Sequence, residues 1–377
     1  MAYHRVRQQT TTPASGGSKS LYYKTGTSPI AGPYAGSTAN TRYHRCDDWV
    51  ETPPFTEQHG LSIIHHEVKP LVVDGDGPGD FHYKYSGYNP TSWTDHVYCP
   101  SAPSFDTGYW KAKALAVLNP FRPTVDLPVF LFELKDFPRM LKDLGRVKAG
   151  RVKPADVPGG YLSYVFGWAP LFSDLFKLLE LAESIDRRME DFQKAQNGSR
   201  VNRKLGSNED TTWGTSGIDG FSFPYAEVTT LNVWASARIY LDDPVIRTDP
   251  YWEAAKATLG LNWSAAAIWE AMPWSWLVDY FLNIGDVLEA RRGYSRWHFD
   301  RGCLMWKQSV TKYASGGTSA PGVSLSGGVL KTITKNRFVF GSDPNLTFAF
   351  RPWLSNGQYA ILGALGLAAV LKAEHRR

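Results

Sequence analysis

The stretch WEAMPWSWLVDYFLNIGDVLEA, from Trp269 to Ala290, constrains the fold more than any other part of the chain. Trp274, Leu277, Val278, Phe281, Gly285 and Leu288 recur at intervals that predict one apolar stripe of a long helix, the core face. Pro273 supplies the start signal, because its fixed φ suits the first helical turn and its missing N–H would go unpaired there. Trp276, Tyr280 and Val287 add a second apolar flank and leave a narrow polar strip of Ser275, Asp279, Asn283 and Asp286. A helix apolar on nearly all sides either crosses a membrane or packs inside a protein. Asp279, Asn283 and Asp286 interrupt the run before it reaches the roughly 18 to 20 apolar residues a bilayer needs, so interior packing is expected. The apolar run from Tyr359 to Leu371 is also too short to span and predicts a terminal helix, followed by a basic cap from Lys372 to Arg377.

Composition narrows the partners. Charged residues are 20% of the 377, below the usual share of about a quarter, while aromatics reach 14%. Surface given to aromatic contact rather than to solvation points to a component of something larger. Lys and Arg number 41 against 36 Asp and Glu, a mild excess, so any nucleic-acid contact must come from local clusters. Cys46, Cys99 and Cys303 lie far apart, which predicts free thiols in a reducing compartment rather than a disulfide framework or a CxxC metal site. The N-terminal MAYHRVRQQTTTPASGGSKS has basic residues without a following apolar run, so use without Sec export is expected.

Along the chain, short alternating runs at Leu21 to Lys24, Leu61 to His65, Leu71 to Val73 and Phe81 to Tyr85, with the turn DGDGPGD at Asp74 to Asp80, predict an antiparallel sheet of short strands. Helical spacing begins near Tyr109, over Lys111 to Leu118 and Val129 to Leu144, separated by Pro120, Pro123 and Pro128. Leu171, Leu175, Leu178, Ala182, Ile185 and Met189 place one helix face, with a charged far end. Strand alternation returns over Gly198 to Tyr240 as a hairpin or meander, and helices follow at Trp252 to Leu259 and Trp263 to Met272. Gly293 to Phe350 is again strand-like, and Gln358 to Ala373 closes with a helix. Blocks of this kind predict an α+β fold: a helical bundle region and a curved, mostly antiparallel β-sheet region, segregated in space but interleaved in sequence. The β region is expected at 1–108, 197–248 and 293–350, and the α region at 109–196, 249–292 and 351–377.

Catalytic signals are weak: the chain has no Walker A loop, no GxGxxG, no HExxH and no GxSxG elbow, so no catalytic residue, cofactor or metal is assigned. Adjacent His65 and His66 point to opposite faces of a strand and lack further ligands. Asp174, Asp279 and Asp286 lie among aromatics and could be imagined as an acid pair, but a carboxylate bonded to a Trp N–H or a helix terminus explains them more simply. Basic clusters say more. Arg139, Lys142, Arg146, Lys148, Arg151 and Lys153 surround one interhelical connection, GRVKAGRVK, at a spacing that lets several reach a phosphate backbone together; a solvated loop would look the same. Arg291, Arg292, Arg296 and Arg301 form a second cluster, and Arg200, Arg203 and Lys204 a third. Tyr294 and Trp297 are candidates either to stack on unpaired bases or to join the sheet core.

Two segments resemble a known family. GYLSYVFGWAPLFSDLFKLLEL, Gly160 to Leu181, with its aromatic-Gly-Trp-x-Pro-Leu-x-Ser-Asp run at Phe166 to Asp174, is similar to one helical segment of the maturation (A) proteins of single-stranded RNA bacteriophages, the levivirus group. LGLNWSAAAIWEAMPWSWLVDYFLNIGDVLEA, Leu259 to Ala290, with Trp-Glu-x-x-Pro-aromatic-Ser-aromatic-x-Val-Asp at Trp269 to Asp279 and then Gly285 and Leu288-Glu289, is similar to the other. The resemblance implies a non-enzymatic, single-copy virion protein assembled in the bacterial cytoplasm. Such a protein binds the viral genomic RNA near its 3′ end, replaces part of the coat protein shell and attaches the particle to a host pilus. The alternative is a phage adhesin without an RNA role. The resemblance also implies a helical region directed inward to RNA and a β region directed outward to the receptor. Arg139, Lys142, Arg146, Lys148, Arg151, Lys153, Arg291 and Arg292 then become the RNA-binding candidates, because they border the inward helices. The turn FHYKYSGY, Phe81 to Tyr88, then becomes a candidate for pilus contact.

Overall fold

Side-chain alternation bounded by turn residues builds the sheet. The structure, a computed structural model, describes residues 2–11, 18–26, 28–35, 42–51, 60–77, 80–88, 107–133, 161–162, 164–218, 221–242, 246, 249–261, 264–272, 274–314, 318–319, 321–341, 346–350 and 354–374. Its strands are β1 (Ala2–Thr11), β2 (Ser18–Tyr23), β3 (Pro29–Ala35), β4 (Arg42–Glu51), β5 (Leu61–Asp76), β6 (Phe81–Tyr88), β7 (Arg200–Ile218), β8 (Phe221–Leu241), β9 (Trp297–Ala314) and β10 (Val323–Phe340). They form one open antiparallel sheet in the order β3-β2-β6-β5-β10-β9-β8-β7, with β4 also on β5 and β1 on β4. The α+β expectation holds.

Two of the expected short strands, Leu61 to His65 and Leu71 to Val73, are parts of the single strand β5, which runs through Pro70. Proline cannot donate to a ladder, so a central strand tolerates it only where the partner yields. The partner here is a Gly-Gly pair: Gly327 and Gly328 take φ of +75° and +72°, while the register holds on both sides at Leu71↔Gly327 and Lys69↔Val329. The turn after β5 depends on glycine as well. Gly75 has φ +143°, and a Cβ there would sit 2.1 Å from the Gly322 carbonyl oxygen.

The chain divides into two compact units, 1–105 with 204–234 and 303–339, and 106–203 with 235–302 and 340–377, so that β7 to β10 give residues to both. The first unit is organised on Val68, Leu71, Val73, Tyr85, Phe223, Val323 and Leu330, which point inward from four strands, with Tyr83, Tyr225 and Leu325 packed against them.

The second unit holds helices α1 (Thr107–Leu118), α2 (Leu127–Glu133), α3 (Ala169–Leu179), α4 (Leu181–Gln196), α5 (Pro250–Thr258), α6 (Ala265–Ala271), α7 (Ser275–Asp279), α8 (Ile284–Ala290) and α9 (Asn356–Glu374), with a π turn at Tyr164–Trp168. Helix α1 is the one closed in on most sides: Tyr109, Trp110, Ala112, Ala114, Leu115, Ala116 and Leu118 are all at most 3% exposed. Small residues let its neighbours approach. No helix among the described residues is long and apolar enough to cross a membrane.

The long helix expected over Trp269 to Ala290 is instead three short ones, the end of α6, then α7 and α8. The chain turns at Trp274, whose φ of +68° is a left-handed conformation that a bulky residue rarely adopts. The start signal assigned to Pro273 lies outside the described residues. Residues of the polar strip tie the breaks together: Asp279 accepts from the Gly285 amide and from Trp269 Nε1, both at 2.9 Å. Asn283 Oδ1 accepts the Ala349 backbone amide at 2.7 Å, and the Asn283 backbone N–H donates to the Ala349 carbonyl at 3.2 Å. Gly285 leaves room for this, since a Cβ would stand 2.7 Å from Asp279 Oδ2. The stripe does not form the core either. Trp274 and Phe281 are 58% and 45% exposed, whereas Ser275, Val287 and Ala290 are buried. Likewise, the single helix read over Leu171 to Met189 breaks at Glu180 into α3 and α4. Of its stripe Ile185 is buried, and the buried face continues through Phe192 and Ala195.

Candidate nucleic-acid interface

The second half of the helical unit is fastened by polar groups at the C-terminal end of α8. A helix leaves its last carbonyls without intrahelical donors, and a buried helix end needs them supplied. Asn119, which follows α1 and is 1% exposed, supplies them: its Nδ2 donates to the carbonyls of Glu289 at 2.7 Å and Arg292 at 2.9 Å, and its Oδ1 accepts the Phe121 amide. Trp297 Nε1 donates to the Arg292 carbonyl as well, at 3.2 Å. The amides of Thr124 and Val125 bond the Thr258 carbonyl, which fixes the same connection to the end of α5.

Arg292 lies inside this fastening. Its guanidinium bonds Asp126 and Glu289, each at 3.0 Å, and its side chain is 2% exposed. Burial pushes the Glu289 carboxyl above the usual glutamate range, and Arg292 offsets part of that. A guanidinium so enclosed and paired is a structural ion, and the expectation that Arg292 faces RNA is corrected on that ground. Arg291, at the end of α8, is exposed. Arg139, Lys142, Arg146, Lys148, Arg151 and Lys153 lie outside the described residues.

The rest of the second cluster is divided in role. Arg296 bonds Glu253 at 2.6 Å and its guanidinium lies 4.5 Å from the centre of the Phe121 ring. Its grip and that of Lys256 outweigh the effect of burial and hold the Glu253 carboxyl below its ordinary value. Trp297 is 1% exposed, which places it in the core and not against a base. From the third cluster, Arg203 bonds both Asp191 oxygens, at 2.7 and 2.6 Å.

Asp279 takes the simpler of its two readings, as acceptor for a Trp N–H and a helix amide, and Asp174 bonds Lys177 at 2.8 Å. His66 is buried with Nδ1 3.0 Å from Thr332 Oγ1, and the ring of His65 lies 5.9 Å from that of His44. Cys46 and Cys303 are buried and are not joined in a disulfide, and Cys99 lies outside the described residues. Sequence reasoning missed Asn119 and Asp126 entirely. The one available signal was that a lone Asn or Asp beside a proline-rich connection is a frequent capping residue.

The two segments singled out for family resemblance meet in space. Phe166 of the π turn lies 4.0 Å, ring centre to ring centre, from Trp276 of α7, and Trp276 in turn contacts Trp274 and Tyr280. Trp168 stacks on Phe172 at 6.0 Å. Phe172, Phe176 and Leu179 on α3, and Ile268 on α6, stay half or more exposed, so this aromatic junction adjoins apolar surface.

Comparison with known proteins returns the same group. The family described as phage maturation protein matches residues 133–311. Maturation protein A of Escherichia phage MS2 is 30% identical over 139 residues, which cover 35% of this chain and 30% of that protein. Maturation protein A2 of Qbeta virus (strain MX1) is 26% identical over 173 residues, 42% of this chain and 38% of that protein. The chain thus spans about a third of the length of the curated relatives it matches. Residues 133–311, which contain both resembling segments up to Ala290, match the family described as phage maturation protein, and through them the chain is similar to the maturation proteins of single-stranded RNA phages.

Proposed function

We propose that this chain is the maturation and attachment protein of a single-stranded RNA phage. Maturation proteins of RNA phages are virion components. In this reading one copy sits in the coat protein shell, binds the genomic RNA near its 3′ end through the α region, and presents the β region to a host pilus. The role is one of binding and not of catalysis. The observation that carries the reading is the junction of the two family segments at Phe166 and Trp276, inside the stretch that matches the family. A sequence pattern shared with relatives over two separate segments is hard to obtain by chance when those segments also pack on each other. The basic run from Arg139 to Lys153 lies in the same matched stretch, and Arg291 is an exposed cation at its helical end.

Crosslinking in the assembled particle tests this, with sequencing of the attached RNA and mapping of the attached peptides. One or a few hairpins of a viral genome on peptides from 139–153 or around Arg291 is the expected result. Random host RNA, or none, ends the genome-binding reading and leaves an adhesin.

A further inference from the structure

The second unit contains a cavity of about 420 Å3 between the turn that follows α1, one face of α4 and the start of β7. Five basic residues line it, Arg122, Arg187, Arg188, Lys194 and Arg203, against two acidic ones, Glu190 and Asp191, a difference of +3. Three of the five are neutralised locally: Arg187 pairs with Glu183, Lys194 with Glu190 at 3.4 Å, and Arg203 with Asp191 at 2.6 Å. Arg122 and Arg188 have no carboxylate within ion-pairing distance among the described residues. Arg122 is exposed to solvent.

Arg188 is the informative one. Its guanidinium is held by main-chain carbonyls, those of Pro120 at 2.8 Å and of Arg122, and not by a counter-ion. Loss of surrounding water pulls its pKa down to about 10; Asp191 offsets part of this, and Arg203 and Arg122 repel it. Carbonyls fix the orientation of a cation without cancelling its charge. The result is a positioned guanidinium, flanked by like charges, on the wall of a hollow.

An anion in the hollow relieves that repulsion, and the guanidinium fork matches phosphate oxygens in pairs. A single carboxylate would bring one charge to the two unpaired guanidinium groups, whereas a phosphate brings up to two with more acceptor oxygens. The volume lies in the range of about 300 to 1,000 Å3 typical of small-ligand sites, room for a phosphate together with an attached nucleoside. We propose that this cavity binds a phosphate group, carried either by a free nucleotide or by an RNA strand. The inference stands on the cavity alone and does not depend on the family reading.

Calorimetric titration of the full-length chain with inorganic phosphate and with AMP, against chloride at equal ionic strength, tests it. Wild type binds saturably, and Arg122→Gln, which breaks no ion pair, weakens binding about tenfold, the loss expected for one charged hydrogen bond. Arg187→Gln is the second variant, and unchanged circular dichroism establishes that both are folded. Absence of saturable binding at millimolar ligand overturns the proposal, as does affinity unchanged in both folded variants. An RNA oligonucleotide without terminal phosphates then identifies the source: displacement of bound AMP assigns the site to an internal phosphodiester, and no displacement assigns it to a free nucleotide. RNA that binds while AMP does not sinks the cavity and spares genome binding, and the reverse result does the opposite.

Discussion

Each unit holds an arginine against carboxylates, and the two arrangements differ in almost every physical respect. In the first unit Arg5 on β1 bonds both oxygens of Asp48 on β4, at 3.1 and 2.6 Å, with Arg7 a further 3.5 Å contact to the same carboxylate. The Arg5 side chain is 37% exposed. In the second unit Arg292 and its partners Asp126 and Glu289 are at most 7% exposed. The carboxylates respond in opposite senses. Hydrogen bonds from Arg5 hold the Asp48 carboxyl below its ordinary value, whereas burial pushes Glu289 up in spite of Arg292. Proximity of opposite charges is the same in both, so the solvent decides the sign. On the sheet the pair ornaments a fold that side-chain alternation already specifies. In the helical unit the ions are part of what holds three chain segments in register.

The largest effect should come from separating the buried set. Arg292→Leu leaves Asp126 and Glu289 without their cation in the interior, and removal of one partner of a buried pair costs about 3 to 5 kcal/mol. Urea unfolding at neutral pH measures it, and a stability within experimental error of wild type would mean that the guanidinium does not hold the fold. An RNA-facing Arg292 would behave in just that way, with lower RNA affinity and unchanged stability. The variant therefore also tests the correction made to the sequence reading of that residue.

A smaller loss is expected at Asp279. Asp279→Ala strands the Gly285 amide and Trp269 Nε1, two part-buried donors at 2.9 Å; a buried donor left unsatisfied costs about 1 to 3 kcal/mol, and partial access to water puts the loss here toward the lower end. Asp279→Asn, which keeps one acceptor oxygen, should lose less. Had Trp269 to Ala290 been one helix, Asp279 would lie on a solvated strip, and its replacement would move stability by no more than about 0.5 kcal/mol. Paired measurement of the alanine and asparagine variants by thermal unfolding separates the two geometries.

The same contrast explains what could be read without coordinates. Strands announce themselves by a period of two, and Leu61 to His65, Leu71 to Val73 and Phe81 to Tyr85 all fall in β5 and β6. The continuity of β5 through Pro70 was hidden, because it depends on Gly327 and Gly328, more than 250 residues away in the chain. Helical spacing was read correctly in type and wrongly in length. The stripe from Trp274 to Leu288 satisfies the period, but a period cannot register that Trp274 turns left-handed or that Asp279 reaches forward to Gly285. For the candidate interface the limit was of another kind. Arg291 and Arg292 are neighbours with identical side chains, one exposed and one enclosed, and the difference is set by Asp126 and Asn119 on a distant connection. Charge runs give the location of cations but not of their partners.

The smallest predicted effect is also the one that tests the sign argument directly. Because Arg5 keeps Asp48 more acidic in the folded chain than in the unfolded one, the folded state binds this proton less readily, and the pair stabilises at every pH above the unfolded value of about 3.9. The contribution is lost as pH falls through the depressed folded value. Wild type and Asp48→Asn should then differ slightly in unfolding midpoint at pH 6, and the difference should shrink as pH falls below about 4 and the carboxylate protonates. In 1 M salt, where the screening length falls to about 3 Å, it should be small even at pH 6, since the pair is open to solvent. A difference that does not shrink on acidification would mean that the carboxylate acts through packing and not through charge. A difference that grows on acidification would give Asp48 the raised carboxyl of Glu289, and the contrast between sheet surface and helical interior would then have to rest on something other than access to water.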